Sequence, residues 1–163
     1  MKERDAELRA LVGYGVKRAN SALVGGVAQL LGRFDLRRTT FSALSVIANN
    51  AGIRQSDLAE VLAIERPNLV QILDEVQRAG WIARARDGAD RRVYRLTVTA
   101  AGLARLTEAG DALRTYDARL TRGMSAQERT ALIAALRRVE ENGLHALDEE
   151  AWEGPDVGEI STT

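Results

Sequence analysis

Hydrophobic periodicity predicts a mainly α-helical chain interrupted by one small β-hairpin. Three observations carry that expectation. Apolar residues recur at steps of three and four near both ends of the 163-residue chain. The period drops to two between Trp81 and Thr97 and nowhere else. Directly before that change stand two short stretches, each apolar on one side and joined by a tight turn, which make a helix-turn-helix candidate.

The first element carries Leu8, Leu11, Val12, Val16, Ala19, Leu23, Val27, Leu30, Leu31 and Phe34 on one face, which predicts a single long helix. A compact monomer of this size cannot cover so long a stripe, so the helix is expected to pack against another subunit. Phe34-Asp35-Leu36 breaks the pattern. Thr39 or Thr40 is then the expected cap of a second helix carrying Phe41, Leu44, Ile47 and Ala48, which stops at Asn49-Asn50-Ala51-Gly52. Ser56 is the expected N-cap of a third helix bearing Leu58, Val61 and Leu62. Ala59 is small where another helix crosses closely. A fourth helix begins at Arg66-Pro67, where proline lacks only an N–H that would have no partner. Its inward residues are Leu69, Ile72, Leu73 and Val76, and Gly80 ends it.

Residues 81–86 and 92–97 read as two strands, and Asp87-Gly88-Ala89-Asp90-Arg91 supplies the turn. The helical period resumes at Thr99 with Leu103, Leu106, Leu113 and Leu120. A last helix starts at Ser125, with Glu128 placed to complete a capping box, and runs through Leu132, Ile133, Leu136, Val139, Leu144 and Leu147. Gly154-Pro155 closes it, and a loose polar tail is expected beyond. The order of elements suggests a winged helix-turn-helix with dimerisation arms. The expected organisation is an N-terminal dimerisation helix (1–35), a winged region (36–98), C-terminal dimerisation helices (99–152) and a tail (153–163).

Composition removes several function classes. There is no cysteine and only one histidine, His145, which excludes disulfides, thiolate chemistry and a histidine-rich metal site. Glu141, His145 and Glu149 share a helix face, and a solvated surface describes them better than a metal site. No nucleophile–base arrangement or phosphate-cradling glycine loop is present, and Gly25-Gly26 lies within a helix, so neither an enzyme nor a cofactor is expected. The charged start Met1-Lys2-Glu3-Arg4-Asp5 does not resemble a signal peptide, and the longest uncharged run, Thr39 to Ile53, is too short to span a bilayer. A soluble cytoplasmic protein is expected. Formal net charge is zero, yet the charges are segregated: five arginines and two aspartates lie between Arg84 and Arg95, and the chain beyond Val139 is acidic without Lys or Arg. Of the 23 basic residues only Lys2 and Lys17 are lysine, and arginine favours forked contacts to phosphates or guanine edges.

At the level of residues the chain resembles the MarR family of bacterial transcriptional regulators. The matching residues are Gln55-Ser56-Asp57-Leu58-Ala59-Glu60, Arg66-Pro67-Asn68-Leu69, Gly80-Trp81-Ile82 and Arg84. The match continues through the wing Asp87-Gly88-Ala89-Asp90-Arg91-Arg92 and on through Leu96-Thr97-Val98-Thr99-Ala100-Ala101-Gly102. The likeness spans roughly residues 5–150 and is strongest in the middle. It implies a homodimer with intertwined terminal helices, acting as a repressor on a pseudo-palindromic operator and released by a small effector. It places the helix Arg66–Ala79 in the major groove and the wing tip in an adjacent minor groove.

Position then suggests roles. Asn68 and Gln71 suit paired bonds to adenine, Pro67 suits a thymine methyl, and Arg66 suits a phosphate or guanine. Ser56 suits a backbone phosphate. Arg92 matches the family's minor-groove arginine, with Asp90 orienting it and Arg91 at phosphate. Departures from the family pattern are Glu65 and Val70, where hydroxyl residues are usual, and Gln71, where arginine is usual. Glu65, Val70 and the acidic C-terminus also fit an alternative, a winged-helix protein-interaction module without specific DNA binding. The segment Gly13 to Ala19 resembles that of relatives sensing aromatic acids or their thioesters. Tyr14 and Arg18, with Lys17 beside them, are the candidate effector residues, and Phe41 is a candidate apolar wall. The competing role for Arg18 is an ion pair across the dimer.

Overall fold

The computed structural model describes residues 5–88 and 93–145. The chain divides into two compact units, Met1–Asp117 and Ala118–Thr163. In the first unit, α1 (Ala6–Arg9) and α2 (Val12–Gly32) replace the single long helix expected at the N-terminus. The chain is extended at Leu11 (φ −89°, ψ 127°), and Gly13 and Gly15 weaken the first turn beyond it. Asp5 spans the break, accepting hydrogen bonds from Arg9 Nε at 3.0 Å and from the Tyr14 hydroxyl at 2.9 Å.

α3 (Arg38–Asn49) is not capped by Thr39 or Thr40. The N-cap is Arg37, with extended backbone and no side-chain cap bond. Leu36 is buried one residue earlier, so the helix starts early and both threonines already have helical backbone. Thr40 points into the core, where its hydroxyl finds no partner among the described residues.

Gly52 (φ +82°) turns the chain into β1 (Ile53–Arg54), a strand too short to leave a period-two signature. α4 (Gln55–Val61) follows. Its N-cap is Arg54, so Ser56 is not the cap: its backbone is already helical, and its hydroxyl donates to Asp57 at 2.9 Å. A turn with Ala63 in the left-handed region (φ +50°) leads to α5 (Arg66–Arg78), which has Pro67 in its first turn. The residues expected to face inward do so, since Leu69, Ile72, Leu73 and Val76 are all buried. Gly80 (φ +73°) ends α5 and leads into β2 (Ile82–Arg86). β3 (Tyr94–Val98) is the central strand of a three-stranded antiparallel sheet of order β1-β3-β2. Leu96 pairs with Ile53 on one side and Arg84 on the other. The hairpin tip, Ala89 to Arg92, lies outside the described residues.

One apolar cluster joins Leu31 of α2, Leu44 and Ile47 of α3, Leu58 of α4, the inner face of α5, Ile82, Leu96 and Ala109 of α6 (Ala100–Leu120). Each large side chain buried in it contributes about 1.5–3 kcal/mol. The start of α6 is pinned to the end of α5. Thr99 donates its hydroxyl to the Gly80 carbonyl at 2.7 Å and accepts the Gly102 N–H at 3.1 Å. Gly102 lies so close to the chain at Trp81 that an added Cβ would sit 2.1 Å from the Trp81 carbonyl oxygen.

In the second unit, Gly123 (φ +90°) precedes α7 (Ala126–His145). Ser125 and Glu128 form the expected capping box: the Ser125 N–H donates to Glu128 at 2.7 Å, and the Ser125 hydroxyl accepts the Glu128 N–H at 3.2 Å. The bonds from Ser125, backbone first, hold the Glu128 carboxyl below its ordinary range. None of α7's residues is buried, and Leu132, Ile133, Leu136, Val139 and Leu144 are exposed along it. Glu149, one member of the Glu141–His145–Glu149 set, and the polar tail lie outside the described residues.

The Gly102 contact yields a test. Gly102→Ala forces a rigid backbone oxygen aside and is expected to destabilise the fold by about 1–3 kcal/mol, the usual penalty of overpacking. Chemical denaturation measures it, and a midpoint equal to the parent's refutes the close approach.

Candidate nucleic-acid interface

The buried face of α5 determines what its opposite face presents. With Leu69, Ile72, Leu73 and Val76 inward, Arg66, Pro67, Asn68 and Gln71 are left exposed at its N-terminal half. Asn68 and Gln71 lie three residues apart and share a face. Glu65, the N-cap, makes no side-chain cap bond (φ −64°, ψ 143°), and Val70 is 40% exposed.

The C-terminal half of α5 is tied down by charge. Asp74 accepts from Arg84 of β2 at 2.6 Å, and Glu75 pairs with Arg37 at the entry to α3. Adjacent carboxylates thus link α5 to the sheet on one side and to the α2–α3 connection on the other. In the hairpin, Arg95 donates to Asp87 at 2.6 Å and to the Gly52 carbonyl at 3.1 Å. The Arg86 guanidinium lies 6.0 Å from the centre of the Tyr94 ring. Trp81 packs half-buried against the core, with Arg105 5.9 Å over its ring.

Two concavities flank the first turn of α5. One, of about 290 Å³, is lined by Arg54, Gln55, Ser56, Arg66 and Val93. The other, of about 500 Å³, is lined by Ser56, Ala59, Glu60, Ala63, Ile64, Glu65 and Arg66. The structure therefore brings Ser56 and Arg66 together, with Pro67, Asn68 and Gln71 on the helix that Arg66 opens. It adds Arg54, which sequence reasoning missed because β1 left no periodic trace. Asp90, Arg91 and Arg92 lie outside the described residues.

A model of the MarR family matches residues 34–93, the span from the α2–α3 connection to the foot of β3. A transcriptional repressor, CouR, solved bound to a 23-mer DNA duplex, superposes with a TM-score of 0.80 at 31% identity, covering 86% of this chain and 99% of that one. This chain belongs to the MarR family. CouR solved with p-coumaroyl-CoA is 29% identical with a TM-score of 0.72, covering 86% of this chain and 97% of that chain. A transcriptional regulatory protein described for the hcr operon of Thauera aromatica is 33% identical over 99 residues, 61% of this chain and 60% of the relative's length. MarR of E. coli, at 23% identity and a TM-score of 0.69 over 79% of this chain and 96% of that one, shares the fold. The family is one of transcriptional regulators, and the three-stranded sheet packed on α3, α4 and α5 is its winged helix. No helix among the described residues is long and apolar enough to cross a membrane.

In this MarR-family chain the residues suggested for an effector are dispersed in their present commitments. Phe41 is half-buried and packs against the core cluster. Arg18 is exposed on α2, one turn from Tyr14, and makes no ion pair among the described residues. The Tyr14 hydroxyl is bonded to Asp5, whose carboxylate raises the phenol above its ordinary value of 10.0. Reciprocally, the bonds from Arg9 and then Tyr14 hold the Asp5 carboxyl below 3.8. What this contact adds to stability is therefore present above the ordinary carboxylate range and lost as pH falls through the depressed value. In Asp5→Asn the Tyr14 phenol is expected to titrate nearer 10.0, followed by its NMR ring-carbon shift. An unchanged titration would detach Tyr14 from Asp5.

Proposed function

We propose that this protein is a homodimeric transcriptional repressor that binds a pseudo-palindromic operator and is released by an aromatic acid or its thioester. The observation that carries the reading is the exposed set Arg66, Pro67, Asn68 and Gln71 on a helix whose other face is core, in a chain 31% identical to a repressor solved on DNA. Asn68 and Gln71 read adenine edges in the major groove, Pro67 contacts a thymine methyl, and Arg66 and Ser56 engage the backbone. Arg92, oriented by Asp90, enters the minor groove, and Arg91 meets a phosphate. The exposed apolar residues Leu11 before α2, Val12 and Val16 of α2, and Leu132, Ile133, Leu136 and Val139 of α7 are covered by a second copy. Two-fold symmetry sets the half-sites about one helical turn apart.

Selection from a random DNA pool tests the base-reading assignment. Asn68→Ala and Gln71→Ala are each expected to relax one operator position, a loss of about 1–3 kcal/mol of discrimination. Unchanged consensus sequences in both variants would move the readout elsewhere. Failure of the parent to enrich any sequence would favour a protein-interaction module.

For the effector, the supporting facts are the exposed cation of Arg18 one turn from Tyr14 and the likeness to CouR, solved with p-coumaroyl-CoA. A ligand that prefers the DNA-incompetent arrangement releases DNA by its differential affinity. Hydroxycinnamoyl thioesters are expected to release operator from the parent and not from Arg18→Ala, with DNA binding in the absence of ligand unchanged. Equal release would free Arg18 of this role, and loss of the dimer would make it an interface residue.

A further inference from the structure

Arg54 and Arg95 stand directly opposite each other in the β1–β3 register. Like charges so placed destabilise a strand pair unless one is neutralised. Arg95 is neutralised, since Asp87 takes its guanidinium at 2.6 Å and the Gly52 carbonyl accepts another N–H at 3.1 Å. Arg54 has no such partner: among the described residues it makes no ion pair or side-chain hydrogen bond. Arg66, the first residue of α5, is likewise exposed and without a carboxylate.

These two cations meet in the concavity of about 290 Å³ that Gln55, Ser56 and Val93 complete. Among the described residues no carboxylate lines it. Of the carboxylates adjacent in sequence to its lining, Asp57 takes the Ser56 hydroxyl, and Glu65 lines the other concavity together with Glu60. Arg66 borders both concavities, with Arg54 on its β1 side and Glu60 and Glu65 on the other. At about 290 Å³ the space lies at the small end for a small-molecule pocket, and two guanidinium forks with the Gln55 amide suit a compact oxyanion. Arg66 borders the helix face bearing Asn68, and Val93 stands at the foot of the wing, so an anion held here lies between them.

We propose that this concavity is a phosphate site that takes one phosphodiester of the operator backbone, with Arg54 and Arg66 as its cations. The proposal rests on the DNA-binding reading above and adds Arg54 to it as a sequence-independent contact.

The test measures affinity against salt for the parent, Arg54→Ala and Arg54→Lys, on the selected operator and on a scrambled duplex. Arg54→Ala is expected to weaken both duplexes by the same factor, roughly fivefold per protomer at 0.15 M salt, and to flatten the log–log salt slope by about 0.9 per protomer. Arg54→Lys is expected to restore the slope. Thermal unfolding of Arg54→Ala is expected at or above the parent's midpoint, because Arg54 makes no ion pair or side-chain hydrogen bond among the described residues. Parent-like affinity and slope in Arg54→Ala would overturn the site while leaving the DNA-binding reading intact, as would a lowered midpoint, which assigns Arg54 to the fold. A loss confined to the operator would make Arg54 a base reader and overturn the proposal. A parent that binds neither duplex would overturn both readings together. Inorganic phosphate titrated into DNA-free protein separates the remaining source. Weak, non-saturating binding supports a backbone site, whereas sub-millimolar binding lost in Arg54→Ala would assign the cavity to a soluble phosphorylated ligand instead.

Discussion

The seating of α5 through Leu69, Ile72, Leu73 and Val76 is the contact on which the rest of this structure depends. Leu69, Leu73 and Val76 meet Leu44, Ile47, Leu58, Ile82 and Leu96, so one helix face draws together α3, α4 and the sheet. Because an α-helix turns 100° per residue, burying all four leaves Arg66, Pro67, Asn68 and Gln71 in solvent at the leading end. The exposed surface of α5 is the complement of its packing surface. Apolar burial supplies the energy and is indifferent to rotation within limits. The ion pairs Arg84–Asp74 and Arg37–Glu75 supply direction, since guanidinium and carboxylate must meet at one orientation.

That division of labour recurs at the junction with α6. Gly80, Trp81, Thr99 and Gly102 bring the end of α5, the start of β2 and the start of α6 into contact through backbone groups. Such contacts transmit displacement well, because there is no flexible side chain between them to absorb it. Arg37 at the α2–α3 connection reaches the same helix from the other side. α5 is thus held between the elements that lead towards the N-terminal helices and those that lead into α6.

Charge shows what the fold neutralises and what it leaves open. Arg84, Arg37 and Arg95 are each answered by a carboxylate, Arg37 from 38 positions along the chain. Arg54, Arg66 and Arg18 are exposed and, among the described residues, make no ion pair. Since arginines on the same small surface differ in this way, arginine content says little by itself. The partner, or its absence, separates a structural cation from one available to an anion.

The sequence by itself determined the helices with a clear stripe, the hairpin, the Ser125–Glu128 box, the inward face of α5 and the exposed residues at its start. Each follows from local periodicity or a short capping pattern, which the chain carries wherever it is placed. Tertiary structure decided the rest. The break at Leu11 depends on Asp5 reaching Tyr14, the start of α3 on Leu36 being buried, and the displacement of Ser56 from its cap on Arg54 joining β3. Arg54 became visible as a candidate contact only when β1 set it opposite Arg95 and beside Arg66. Contacts such as Arg37–Glu75 and Arg95–Gly52 join residues 38 and 43 positions apart. No local pattern encodes such pairs, because their geometry exists only after the apolar core has brought the segments together.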